Sequence, residues 1–243
     1  MEDAANDPKP VLDLLWNGIE APRRGPRHRL TVEAVVEAAT GIAEEEGLAA
    51  LSMRRVAARL GVGAATLYTY IPDKSALLAL MVDTMVSRAP LPHTRPGTWR
   101  DKVAGWARED LDGYRSHPWL VELMGTERFV GPGVLAWTDS ALRVFEDTGL
   151  PERDVLAVIE AVDGYVRGHA VPVVDADRSA RRTGPDGAAR PDAQMEYLSG
   201  RLEPGRFPAV ERLTGEGPGP VEVFDEGLSW LLDGVERRIR DLR

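Results

Sequence analysis

Apolar side chains recur every three or four positions along most of the chain, the spacing of an amphipathic helix. In residues 31–47 this stripe begins after Thr31, a candidate N-cap, and stops at Gly47. The first half of the chain has further predicted helices over residues 11–16, 53–60, 64–70 and 73–88. Strand-like alternation is nearly absent, so we predict an all-α fold.

The helical pattern pauses at residues 90–97, which are rich in proline and glycine, and then returns. The second half has predicted helices over residues 99–116, 118–125, 132–148, 152–174, 192–202 and 221–242. Arginine, alanine and glycine dominate residues 178–190, which we expect to form a mobile connector.

Residues 48–74 pair two helices across the tight turn Gly61-Val62-Gly63. The second helix is too short to be stable alone, because helices under about 12 residues are marginal in water. We therefore expect packing to hold it, supplied by Val56, Leu60, Val62 and Leu67. Its other side carries small and hydroxyl-bearing residues, which suit close approach to base edges and phosphates. This arrangement predicts a helix-turn-helix, and a purely structural corner with solvated arginines is the alternative.

Charge is unevenly spread along the chain. The net charge of −9 argues against a molecule that binds nucleic acid over its whole surface. Residues 21–74, however, carry eight basic and six acidic side chains, and Arg54, Arg55 and Lys74 flank the short helix. The absence of cysteine excludes disulfides, thiolate metal sites and a cysteine nucleophile. No run of about 18 apolar residues and no secretory signal occurs, so we expect a cytoplasmic protein.

The segment LSMRRVAARLGVGAATLYTYIPDKSALL, residues 51–78, closely resembles the DNA-binding head of the TetR family of transcriptional repressors. The resemblance implies base contacts from one set of residues, namely Ala64, Ala65, Thr66 and Thr69. It implies phosphate contacts from another set, namely Arg54, Tyr68, Tyr70 and Lys74. Alanines offer only apolar contact to thymine methyls, so we expect part of the specificity to come from the two threonines and from DNA shape.

A basic arm precedes the head and carries Arg23, Arg24 and Arg27. We expect it to reach a minor groove or phosphates, and a solvated tail is the alternative. The chain then divides into four predicted segments: an N-terminal extension and arm (residues 1–29), a helix-turn-helix domain (30–75), a connector helix and linker (76–96) and a C-terminal domain (97–243).

Residues 97–243 resemble the C-terminal domain of the tetracycline-repressor subgroup, through Trp99-Arg100, His117-Pro118-Trp119 and residues 162–168 among others. This resemblance implies effector binding and dimerisation. The candidate pocket residues are Trp106, Tyr114, Met124, Trp137, Tyr165 and His169, with ordinary core packing as the alternative for each. Residues 119–126 lack the histidine by which tetracycline repressors hold a drug–magnesium complex, so we expect a small apolar or amphipathic effector and no metal or other cofactor.

The family dimerises through two helices that match residues 152–174 and 221–242. Their apolar stripes give the predicted interface residues Val158, Val162, Leu228, Leu231, Leu232 and Val235. We therefore predict a homodimeric, ligand-released repressor that binds a palindromic operator.

Two rival functions are less consistent with the chain. An enzyme is disfavoured, because the chain shows no metal-ligand spacing, GxSxG, HExxH or phosphate loop. A helical small-molecule-binding protein without DNA binding is disfavoured by the positive charges beside residues 64–69. The operator, the effector, the target genes and the sign of regulation stay open.

Overall fold

A computed structural model describes residues 8–18, 30–123, 130–183, 197, 201, 205–211 and 220–243. Every regular element in these residues is helical, which confirms the predicted all-α fold. The chain forms two compact units, Met1–Gly149 and Leu150–Arg243. The four predicted functional segments stay a prediction beside this division. Among the described helices, none is long and apolar enough to cross a membrane.

The first unit contains eight described α-helices and two short 3-10 turns, Leu48–Ala50 and Pro92–Thr94. The helices are α1 (Lys9–Asn17), α2 (Val32–Glu46), α3 (Met53–Arg59), α4 (Ala64–Tyr68), α5 (Lys74–Arg88), α6 (Trp99–Ser116), α7 (Trp119–Leu123) and α8 (Pro132–Arg143). The predicted helix over residues 132–148 thus ends early, in turns that follow Arg143.

Local capping explains where the helices of the head begin. The Thr31 hydroxyl accepts the Ala34 N–H at 3.1 Å, and the Ser52 hydroxyl accepts the Arg55 N–H at 3.4 Å. The carboxylate of Asp73 accepts an N–H of the first turn of α5 at 2.8 Å. Each side chain satisfies a backbone donor that the helix itself leaves free.

The second unit contains α9 (Glu152–Thr183), α10 (Pro208–Glu211) and α11 (Pro220–Asp241). The prediction that α9 ends at residue 174 is wrong, since the helix continues to Thr183, into residues expected to be a connector. As predicted, it runs through Pro172. Proline removes one backbone hydrogen bond. A buried stripe with four-residue spacing carries α9 across that gap, and it comprises Val162, Val166, Ala170 and Val174. The predicted helix over residues 192–202 lies almost wholly outside the described residues.

Helix α5 is central to the first unit, because it packs against α1, α2, α7 and α8. On the head side its Leu77 is fully buried, as are Val35 of α2 and Val56 of α3. The helix that follows the helix-turn-helix therefore joins the head to α1, α7 and α8.

Candidate nucleic-acid interface

The turn between α3 and α4 depends on a position that favours glycine. Gly61 has φ +68°, in the left-handed region that side chains disfavour. The Val62 N–H donates to the Ala57 carbonyl at 2.9 Å, and the Gly61 N–H donates to the Ala58 carbonyl at 3.1 Å. These two bonds form a Schellman motif, which ends α3 and turns the chain into α4.

Helix α4 is one short segment held by a single fully buried side chain, Leu67. Its N-cap, Gly63, makes no side-chain capping bond, and Ile71 closes the segment in the core. Helix α4 ends at Tyr68, two residues before the predicted end. Because a helix of this length is marginal alone, its position depends on the packing of Leu67 and Ile71.

The rest of α4 faces outward. Ala65, Thr66, Tyr68 and Thr69 are exposed, and the Tyr68 side chain is 51% accessible. Ala64 and Tyr70, also predicted to contact DNA, are half-buried.

The two hydroxyls of α4 differ. The Thr69 hydroxyl donates to the Thr66 carbonyl at 2.6 Å, so its proton is already used. In the described part of the chain the Thr66 hydroxyl has no hydrogen-bond partner, and it is exposed. Thr66 is therefore the hydroxyl of α4 whose proton is available to a base edge or a phosphate.

The basic side chains of the head separate into two groups. Arg55 pairs with Glu46, and Arg59 pairs with Glu45 at 2.5 and 2.9 Å. The hydrogen bond from Arg59 holds the pKa of the Glu45 carboxyl below its usual range. The sequence analysis counts Arg55 among the cations that flank α4, but in the structure Arg55 forms an ion pair with Glu46 of α2.

Arg54 and Lys74 are exposed, and neither forms an ion pair within the described ranges. They lie in the first turns of α3 and α5, where backbone N–H groups add to the positive potential. Two acids at the end of α2, Glu45 and Glu46, are meanwhile paired with the arginines of α3, and the third, Glu44, lies 2.8 Å from the His117 ring. Arg54 and Lys74 therefore contribute positive charge beside α4 that no ion pair within the described ranges cancels.

Helix α1 lies beside this surface, although no pattern in the sequence indicates it. A groove of about 520 Å³ runs between α1 and the segment after α4, lined by Asp13 and Asn17 on one side and by Tyr68 and Tyr70 on the other. The arm residues Arg23, Arg24 and Arg27 follow α1 but lie outside the described residues.

The candidate pocket residues fall in different units. Trp106 and Tyr114 are buried in the first unit, where the Trp106 ring packs edge-on against Trp137 with centroids 5.8 Å apart. Phe145, which is not among the six candidate residues, packs against Trp106 with ring centroids 6.4 Å apart and against Trp99 with centroids 6.0 Å apart. Met124 lies outside the described residues.

Tyr165 and His169 belong to the second unit, with ring centroids 4.5 Å apart as their one-turn spacing predicts. The Tyr165 hydroxyl donates to the Phe224 carbonyl at 2.8 Å, and burial raises the pKa of this phenol. A Cβ on Gly227 would lie 2.4 Å from that oxygen, so glycine makes room for the bond. Tyr165 therefore ties α9 to α11.

The predicted dimer stripe also divides. Val162, Leu228, Leu232 and Val235 are buried within the chain itself, because α9 packs on α11, so a partner has little left to cover there. Val158 and Leu231 are half-buried and line a shallow groove of about 500 Å³. The same helices expose other large apolar side chains, Leu156 and Trp230, the latter 67% accessible.

Among the described residues, no group of three or more histidines and carboxylates is placed to hold a metal ion. The chemistry that the outward face of α4 offers is hydrogen bonding, apolar contact and positive charge. These are the means by which proteins bind duplex DNA.

Two protein-family models match the chain. The model described as bacterial regulatory proteins, tetR family, matches residues 35–81, and the model described as tetracyclin repressor-like, C-terminal domain, matches residues 91–239. The HTH-type transcriptional repressor DrrR1 of Streptomyces coeruleorubidus is 39% identical over 93% of this chain and 84% of its own length. The tetracycline repressor protein class C of Escherichia coli is 26% identical over 86% of this chain and 92% of its own.

Solved structures agree with the fold. Apo ActR from Streptomyces coelicolor superposes with a TM-score of 0.74 at 23% identity, covering 90% of this chain and all of that one. ActR in complex with actinorhodin superposes with a TM-score of 0.74 at 25% identity, covering 86% and 96%. With both family models, a relative of 39% identity and this outward-facing helix-turn-helix, the chain belongs to the TetR family and is a DNA-binding transcriptional regulator.

Proposed function

We propose that the chain is a ligand-released repressor that binds a palindromic operator as a homodimer. The observation that carries this proposal is the exposed face of α4, held from behind by Leu67 and flanked by Arg54 and Lys74 without ion-pair partners in the described ranges. Such a regulator works where the chromosome lies, in the cytoplasm, and we assign it no catalytic role.

Within the proposal, base edges and phosphates are contacted by different residues. Arg54, Tyr68, Tyr70 and Lys74 bind phosphates, which sets affinity and salt dependence. Thr66 supplies the hydroxyl for base edges, while Ala64, Ala65 and the methyl of Thr69 supply apolar contact. The arm residues Arg23, Arg24 and Arg27 are proposed to add phosphate or minor-groove contacts.

The proposed dimer uses α9 and α11. Leu156 and Trp230 are large exposed apolar side chains of these helices, and Val158 and Leu231 are half-exposed beside them. Covering them would remove apolar area from water, the main driving force for association. Two copies of α4 would then meet successive major grooves, about 34–36 Å apart.

The proposed effector is small and apolar or amphipathic. The buried Trp106 and Tyr114 support this choice, together with the half-buried Trp137 that packs edge-on against Trp106, and Tyr165 and His169 are further candidates. ActR, which this chain resembles, is known in complex with actinorhodin, a first probe to try. We assign no metal to the site, because residues 119–126, which match the histidine-bearing stretch of tetracycline repressors, contain no histidine.

The deciding experiment captures genomic fragments with the purified protein and measures affinity for the enriched sequence at several salt concentrations. We expect a palindrome and a steep linear fall of log K with log salt. Lys74→Ala should reduce that slope by about 0.9 for each phosphate that the variant leaves unneutralised, whatever the DNA sequence. Arg240→Ala, which removes the same charge from α11, is the matched control and should leave the slope unchanged.

Thr66→Ala should instead relax preference at one position of each half-site, by about 1–3 kcal/mol of discrimination at most. Actinorhodin should release the DNA, and tetracycline with Mg²⁺ should not. No enrichment of any fragment, or an affinity that does not respond to salt, would contradict DNA binding.

A further inference from the structure

A buried carboxylate joins two helices of the first unit. Asp83 lies in the middle of α5 and is only 8% exposed. Its carboxylate accepts the Val134 N–H at 2.9 Å and the Gly133 N–H at 3.2 Å, both in the first turn of α8. The N-cap residue of α8, Gly131, supplies no side-chain bond. Asp83 therefore caps a helix about fifty positions further along the chain.

Gly131 and Gly133 lie at this junction, where there is no room for a side chain. Neither Gly131 nor Gly133 has a positive φ, so backbone conformation does not require glycine there. A Cβ on Gly131 would lie 2.3 Å from an Asp83 carboxylate oxygen. A Cβ on Gly133 would lie 2.5 Å from the Asp83 carbonyl and 2.9 Å from the Ser87 Cβ. The first turn of α8 therefore packs directly against α5.

This cap differs in kind from the others in the unit. Thr31, Ser52, Asp73 and Thr98 each bond three residues ahead, so those caps remain intact however their helices move. The Asp83 bonds exist only while α5 and α8 keep one relative position. A shift of α8 along α5 that keeps water out would leave the buried Asp83 carboxylate and the N–H groups of the buried Gly133 and the half-buried Val134 without these partners. Proteins avoid this state because the desolvation cost is not recovered.

The same two helices reach the two parts of the proposed switch. Helix α8 carries Trp137, one turn after the capped N–H groups, and its ring packs on Trp106. It also carries the buried Ser140, whose hydroxyl accepts the His93 N–H at 3.0 Å. Helix α5 begins directly after the α4 segment and packs on α2 of the head.

We propose that Asp83 is a positioning residue that makes α5 and α8 move as one body, so that a displacement of Trp137 reaches α4 through this carboxylate. The relay to DNA rests on the proposed function, whereas the rigid junction does not. Helix α8 can bias the head because it has a preferred position relative to α5, and an effector acts by its different affinity for the two positions.

The junction can be tested by distance measurement, because the chain has no cysteine. Two cysteines, Ala65→Cys on α4 and Leu135→Cys on α8, are exposed sites for spin labels. The labelled protein is mixed with a large excess of unlabelled protein, so that each pair reports one chain. We expect one narrow distance in the parent and a second distance population in Asp83→Asn, which keeps the shape but removes the charge and one acceptor.

Two further variants make the outcome decisive. Asp101→Asn removes an exposed carboxylate whose bonds stay within the start of α6, so it should leave one distance. Val134→Pro removes one of the two N–H donors in a first helical turn, where proline is tolerated, and decides the case if Asp83→Asn does not fold. Amide exchange at Gly133 should rise about tenfold or more in Asp83→Asn, since a charge-assisted bond is removed.

Operator affinity, measured on unlabelled proteins that keep Ala65 and Leu135, links the two parts of the proposal. If the second population cannot bind, the apparent affinity of Asp83→Asn equals the parent affinity multiplied by the fraction of molecules that stays competent, and the distance data give that fraction independently. A lower melting temperature with one unchanged distance would overturn the junction. A second distance with unchanged affinity would overturn the relay. Failure of the parent itself to bind DNA would refute the proposed function and leave the junction result standing.

Discussion

Leu67→Ala tests the claim that one side chain holds the DNA-facing helix. Leu67 is fully buried, and α4 has no side-chain cap to compensate for its removal. Truncating a buried leucine costs about 2–5 kcal/mol, through the forfeited transfer free energy and the cavity left behind. At about 1.4 kcal/mol per factor of ten, α4 should open about 30 to 5,000 times more often.

Amide exchange followed by mass spectrometry measures this opening directly. Exchange should accelerate over residues 64–71, where the Ile71 N–H donates to the Leu67 carbonyl at 3.0 Å, while peptides from α9 and α11 stay unchanged. Leu135→Ala is the matched control, because that leucine is 47% exposed and its truncation should cost under about 0.5 kcal/mol.

Operator affinity should fall with the share of molecules whose α4 is closed. Unchanged exchange over residues 64–71 in Leu67→Ala would show that something other than this packing positions the helix. The reasoning about the head would then be wrong, whatever happened to DNA binding.

Three further changes have expected results. Gly61→Ala should lower the free energy of unfolding by about 1–2 kcal/mol in thermal melts, because φ is +68° there, whereas Gly63→Ala, with its nearest contact at 3.7 Å, should be tolerated. Tyr165→Phe should cost about 0.5–1.5 kcal/mol because the bond to α11 disappears, and no change in melting temperature would count against it. The hydrogen bond from Arg95 lowers the pKa of the Glu109 carboxyl. The pair therefore stabilises the fold fully at pH values above the ordinary glutamate pKa, and this stabilisation is lost as the pH falls through the lowered pKa. Glu109→Gln should therefore reduce stability at neutral pH and converge with the parent in acid melts; an equal deficit at both pH values would refute the linkage.

The head was largely predictable because its determinants are local. Thr31 caps its helix as predicted, Ser52 caps the next helix in the same local way, Gly61 makes the turn, and Leu67 faces inward. Each of these features is decided within a few residues of chain, where spacing and residue type carry the information.

Contacts between distant segments were not predictable in this way. The pairing of Arg55 with Glu46 requires knowing how α2 crosses α3, and the bond from Asp83 to α8 joins residues about fifty apart. A faint signal existed: an acid within an otherwise apolar helix face, and the run Gly131-Pro132-Gly133 far downstream. Nothing in spacing alone connects the two.

The end of α9 was predicted at residue 174 because arginine, alanine and glycine dominate residues 178–190. The helix continues to Thr183, so this composition does not mark its end. The prediction already carried the helix past Pro172, and the buried Val166 and Val174 on either side of that proline provide packing that offsets its local penalty.

The separation of the two faces of α4 has an evolutionary consequence. Folding depends on Leu67, whereas Ala65, Thr66 and Tyr68 touch little of the protein's own interior. Substitutions at these exposed residues can therefore change the DNA sequence that the regulator recognises without lowering the stability of the head. Operator choice in this lineage is free to drift at a pace that the core of the head does not set.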